Sequence, residues 1–249
     1  MALLRAAQRG MIHAFENIRA FPSSVTGIEH NLRVVRDRIE QAAQAYARKA
    51  PSLLAVSKGH PESAIRRAFT AGQYQFGESY LQEALAKIGA TRDLPIVWHY
   101  IGPIQSNKTA AIAEHFSWVH GIDRLKIAER LSAARPDNLA PLNVCIQINS
   151  SGETSKSGVA PAQLAPLARA VATLPRLRLR GLMAIPAPTT DVNIQRGSFR
   201  GVREQFDALC LTGLALDTLS MGMSEDLEAA IAEGATIVRI GTAIFGLRD

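Results

Sequence analysis

The sequence predicts an α/β protein built as a single (β/α)8 barrel, with an extra helix ahead of its first strand. Three observations carry that prediction. Short apolar runs of strand character alternate eight times with segments of helical periodicity. The 249 residues suit one such barrel, and only eight residues follow the last apolar run, which leaves no room for a second domain. No early G-x-G-x-x-G loop speaks for the alternative, a doubly wound open sheet.

From Gly27 to Lys49, the apolar residues Ile28, Leu32, Val35, Ile39, Ala42, Ala43 and Tyr46 recur at three- and four-residue steps. That spacing predicts an amphipathic helix, stopped by Pro51. Strands are expected at 52–58, 74–78, 96–102, 117–122, 143–149, 178–185, 217–221 and 236–241. Helix starts lie at Pro61-Glu62-Ser63, Ser106-Asn107, Asp123 and Ser224-Glu225-Asp226, where capping oxygens and first-turn acids complement a helix N-terminus. Residues 1–25 read differently. They carry Arg5, Arg9 and Arg19 against one acid, Glu16, and end in Phe21-Pro22-Ser23-Ser24. A targeting peptide, an accessory helix or a start assigned too far upstream all fit, so the barrel domain is taken as 26–249 and the role of 1–25 is left open.

Hydrophobic residues make up 47% of the chain and charged residues 20%, the balance of a folded globular protein. Its net charge of +6 includes no run of like charges and no basic-aromatic stripe, which argues against nucleic acid. No stretch approaches the ~20 apolar residues that cross a bilayer. Cys145 and Cys210 form neither a disulfide framework nor a metal spacing, as expected of a cytoplasmic protein without a metal.

A barrel of this kind places its chemistry at the carboxyl ends of the strands. The run LLAVSK at 53–58 delivers Lys58 to that end of the first strand. The seventh runs into SMGMS, with Ser220 and Ser224 around a glycine, and the eighth into Gly241-Thr242. Loops after strands 7 and 8 are the frequent phosphate site of these barrels, although a plain N-cap and a tight turn would look the same singly. Arg239, two residues before Gly241, shares its face by strand alternation. An amine able to condense with an aldehyde, a guanidinium and an anion cradle together match pyridoxal 5′-phosphate (PLP).

The runs LLAVSK at 53–58, QFGESY at 75–80, WHYIGPIQSNK at 98–108, NSSGETSKSG at 149–158, RLRGLMAIP at 178–186, LSMGMSEDLEAAI at 219–231 and VRIGTAIFG at 238–246 carry a resemblance. The sequence resembles the pyridoxal phosphate homeostasis protein family, one-domain relatives of the alanine racemase N-terminal barrel. The resemblance implies that Lys58 holds PLP through a Schiff base and that Ser220, Ser224, Gly241 and Thr242 hold its phosphate. It further implies that Arg239 faces the pyridine nitrogen, keeping it unprotonated because adjacent cations repel, and that Ser79 and Met183 line the ring pocket. Ser79 stands where the family has asparagine, and Gly59-His60 where it often has Thr-Lys. His60 and Lys156 read by default as solvated loop residues, and His99 as a structural histidine.

The implied role is a non-catalytic carrier or buffer of PLP, with PLP-dependent apo-enzymes as partners and the chain itself a monomer. Two alternatives stand beside it, a fold-type III amino-acid racemase and a phosphate-binding barrel enzyme without PLP. Alanine racemase uses a second acid/base, a tyrosine from a further domain. Losing such a group costs roughly 10²–10⁴ in rate.

Overall fold

The computed structural model describes residues 27–149 and 157–247, so the 1–25 segment and Lys156 lie outside the described residues. The opening helix, α1 (Ile28–Ala45), buries Leu32, Val35 and Ile39, as its periodicity requires. It ends earlier than Pro51 alone would dictate. Ala47 adopts φ +49° and the Arg48 N–H returns to the Ala43 carbonyl, so a left-handed residue closes the helix and Pro51 only begins the extended chain.

The chain then alternates as expected: β1 (Ser52–Val56), α2 (Glu62–Thr70), β2 (Gln75–Glu78), α3 (Leu81–Ala90), β3 (Val97–Tyr100), α4 (Thr109–His115), β4 (Trp118–Ile122) and α5 (Leu125–Ala134). The second half runs β5 (Leu142–Ile148), α6 (Pro161–Ala172), β6 (Leu177–Ala184), α7 (Val192–Leu211), β7 (Thr218–Ser220), α8 (Leu227–Ala232), β8 (Ile237–Ile240) and α9 (Thr242–Phe245). Each strand pairs in parallel with the next, and β8 returns to β1 with Ser52 opposite Ile237 and Leu54 opposite Arg239. The sheet therefore closes and leaves no edge unpaired.

With four residues, α9 is too short to cover its sector of the barrel. The extra helix α1 takes that place. Asn31 donates to the Ile244 carbonyl at 3.0 Å, Arg38 pairs with Glu228 of α8 at 2.8 Å, and Glu29 pairs with Arg67 of α2 at 2.8 Å. The apolar core lies between strands and helices, where Phe76, Tyr100, Phe116, Ile65 and Leu32 are fully buried. Each such side chain contributes about 1.5–3 kcal/mol. The barrel axis carries different chemistry: His99, His120, Ser220 and Arg239 are all buried there.

Candidate functional site

Strand alternation puts Leu54, Val56 and then Lys58 on one face of the first strand. It is the inner face, because Leu54 is the register partner of Arg239, whose guanidinium reaches across the barrel interior. Lys58 follows the last residue of β1 by two and is half-buried at the mouth. Gly59 behind it takes φ +76°, a conformation in which any other side chain is strained, and this turns the chain sharply away toward α2.

Arg239 donates to the Ser220 carbonyl at 2.6 Å, to the Ser220 hydroxyl at 2.9 Å and to the Ala184 carbonyl at 2.9 Å. Burial pushes its guanidinium down to about 10, which still leaves it cationic at neutral pH. The Ser220 oxygen also bonds His120 Nδ1 at 2.8 Å, and His120 Nε2 bonds His99 Nδ1 at 2.9 Å. One polar chain thus crosses the barrel from β8 and β7 to β4 and β3. Burial pushes His99 down to about 3 and His120 well below the ordinary imidazole value, the latter helped by the nearby Arg239 charge. Both rings are therefore neutral, each with one donor and one acceptor nitrogen. His99 stacks on Trp118, centroids 5.3 Å apart, at the start of β4 and away from the mouth. It is a structural histidine.

Two expectations need correcting here. Ser220 is fully buried with its hydroxyl committed to Arg239 and His120, so it faces the interior and offers nothing to an anion at the rim. Nor does Ser224 open a helix: α8 starts at Leu227 with Asp226 as its N-cap residue. The Asp226 carboxylate takes the Met223 N–H at 2.5 Å and folds a turn ahead of the helix, with Ser224 inside it. Gly222 makes this turn feasible. Its φ is +97°, and a Cβ there would lie 2.5 Å from Ala230 Cβ.

What remains at the rim is a set of unused donors. Among the described residues, the backbone N–H groups of Ser224, Gly241 and Thr242 have no acceptor. All three residues are at least partly exposed at the ends of β7 and β8. Converging amides of this kind suit an anion. Met183, buried on β6, is the register partner of Ser220, and half-buried Ser79 follows β2 on the face of Gly77. His60 is not simply solvated, because its ring stacks on Phe245 with centroids 5.1 Å apart.

Sequence reasoning missed His120 and the groups behind Lys58. Ser57 Oγ donates to Glu78 Oε1 at 2.6 Å, and the Gly59 N–H donates to Glu83 Oε1 at 2.6 Å. Lys87 Nζ donates to the Ser57 carbonyl at 2.7 Å, to Glu78 Oε1 at 2.8 Å and to Glu83 Oε1 at 2.5 Å. One signal was present: Lys87 sits on the apolar stripe of α3 with Leu81 and Ala84, a place where a lysine needs a partner.

The barrel has known counterparts. A family model described as alanine racemase, N-terminal domain, matches residues 24–249. A pyridoxal phosphate homeostasis protein of Pseudomonas aeruginosa is 61% identical over 224 residues, 89% of this chain and 96% of that protein. The chain belongs to the pyridoxal phosphate homeostasis protein family. The structure of PipY from Synechococcus elongatus PCC7942 with PLP bound superposes with a TM-score of 0.79 at 36% identity, covering 88% of this chain and all of PipY. The alanine racemase of Corynebacterium glutamicum shares the fold, with a TM-score of 0.66 at 23% identity; the match spans 89% of this chain and 60% of the racemase.

Proposed function

We propose that this chain binds PLP at the barrel mouth and serves PLP homeostasis as a carrier or buffer rather than as an enzyme. The observation that carries the reading is the coincidence at one mouth of three elements. These are the half-buried Lys58 amine, the inward Arg239 guanidinium and the unused N–H donors of Ser224, Gly241 and Thr242. A phosphate fits donors that otherwise lack acceptors, each bond to a charged oxygen contributing about 1.5–3 kcal/mol. Met183, buried on β6, and half-buried Ser79, after β2, would line the ring of the cofactor. PLP supplies an aldehyde. Lys58 is the residue that would hold that aldehyde through its amine, a linkage of a kind that water can reverse on release.

Arg239 is the residue on this face that would lie toward the pyridine nitrogen. A permanent cation there opposes ring protonation and leaves the ring a weak electron sink, adequate for storage and poor for carbanion chemistry. PipY, solved with PLP bound, supports the cofactor, and the name of the P. aeruginosa relative supports the role. That relative is matched over 96% of its length, whereas the alanine racemase is matched over 60% of its own.

The deciding experiment is borohydride reduction of the PLP-loaded protein, followed by peptide mapping and an amino-acid racemase assay. One adduct, on Lys58 and absent from Lys58→Ala, together with no racemase turnover, is the expected result. An adduct elsewhere, or none, overturns the site. Racemase turnover abolished by Lys58→Ala overturns the carrier role.

A further inference from the structure

Lys58 itself lies on the inner face of the barrel, and its two chain neighbours are held from the other side. Alternation turns the Ser57 side chain outward, where it meets Glu78, a fully buried carboxylate at the end of β2. Lys87 of α3 is also buried, and its ammonium has three hydrogens for three acceptors: the Ser57 carbonyl, Glu78 Oε1 and Glu83 Oε1. Glu83 spends the same oxygen on the Gly59 N–H. The backbone before Lys58 is thus fixed by Lys87 and Glu78, and the backbone after it by Glu83. Glu78 Oε2 is buried without a partner among the described residues. That is an imperfect arrangement for stability alone, since an apolar pair of similar volume would cost less.

We infer that Glu78, Glu83 and Lys87 are positioning residues for Lys58, a bracket behind the barrel wall that fixes where its amine emerges. The inference rests on the reading of Lys58 as the residue that holds PLP. The energetic reason is entropic. The cradle fixes the phosphate, so covalent capture needs the amine at one distance from it, and a loosened 57–59 segment must be reordered at each capture. Freeing the backbone of one residue costs about as much as a tenfold loss of affinity.

Glu83 separates geometry from charge. Glu83→Gln keeps an oxygen for the Gly59 N–H, while Glu83→Ala removes it. Two ligands separate the bracket from the cradle. PLP needs both lysine and cradle, whereas pyridoxine 5′-phosphate has no aldehyde and needs the cradle only.

The bracket predicts about tenfold weaker PLP binding and slower formation of the borohydride-trapped Lys58 adduct in Glu83→Ala. It also predicts near-native PLP behaviour in Glu83→Gln, and unchanged pyridoxine 5′-phosphate binding in both. Equal loss for the two ligands would mean general loosening and would overturn the bracket, as would native PLP capture by Glu83→Ala. If the unaltered protein forms no adduct on Lys58, the reading of the site itself fails and the role of the bracket fails with it. The unaltered protein therefore tells the two failures apart.

Discussion

Arg239 and Lys87 are both buried cations, 4% and 6% exposed, yet the protein holds them in opposite ways. The bonds to Arg239 end on two carbonyls and a hydroxyl, and no carboxylate bonds it among the described residues. Lys87 is wrapped by two carboxylates and one carbonyl. An arginine held by neutral dipoles keeps its charge available to whatever enters the mouth. A lysine between carboxylates has its charge consumed, and what it delivers is geometry: one ammonium joins β1, β2 and α3. The inner cluster presents charge, and the outer one sets position.

The largest test of that contrast is Lys87→Met. Removing one partner of a buried pair leaves Glu78 uncompensated, and the expected loss is about 3–5 kcal/mol, read from urea unfolding. Pairing it with Glu78→Leu should restore most of the loss. If the double variant is no better than the single one, the outer cluster is not held by charge compensation.

Ser220→Ala probes the inner cluster and should cost about 1.5–3 kcal/mol, because an arginine bond loses its acceptor. Its PLP affinity should fall because the guanidinium loses one of its three acceptors, although Ser220 touches no anion itself. Unchanged affinity would separate Ser220 from the site.

Acid gives the smallest effect per step and distinguishes the clusters by sign. His99 is held neutral down to about pH 3 in the folded state, whereas an unfolded histidine protonates near 6.5. The unfolded chain binds the extra proton in that window, so stability falls as pH drops from about 6.5 toward 3, by about 1.4 kcal/mol per pH unit. Glu78 acts oppositely. Burial raises its carboxyl pKa, so the folded state holds the extra proton above 4.5 and this contribution declines as pH rises. His99→Leu should flatten the acid limb of a stability-against-pH curve. An unchanged limb would assign acid sensitivity to other groups.

Much of the fold was legible because its signals are local. The stripe Leu32-Val35-Ile39 needs only helical geometry to declare a buried face, and the apolar runs that became β1 to β8 need only the pleat. The same two-residue period was enough to place Arg239 on the face of Gly241, while the register of β1 with β8 was needed to bring Lys58 to that face. Their partners were not legible. Asp226, not Ser224, stands at the start of α8, and its carboxylate reaches back to the Met223 N–H to fold the turn that contains Ser224. The commitment of Ser220 to His120 joins residues 100 positions apart, and that of Arg239 to Ala184 spans 55.

From the sequence alone came the eight-stranded barrel with its extra helix, Lys58 at the end of the first strand, Arg239 and Gly241 on one face, and the family resemblance. Those rest on steric periods and residue types that act over a few neighbours. Tertiary structure alone decided that α1 stands in for a short last helix, that Ser220 serves Arg239 instead of the rim, and that Lys87 braces Lys58. Each depends on barrel closure, which brings distant groups within 3 Å of one another and out of water, where an unmade hydrogen bond is costly enough to select the partner.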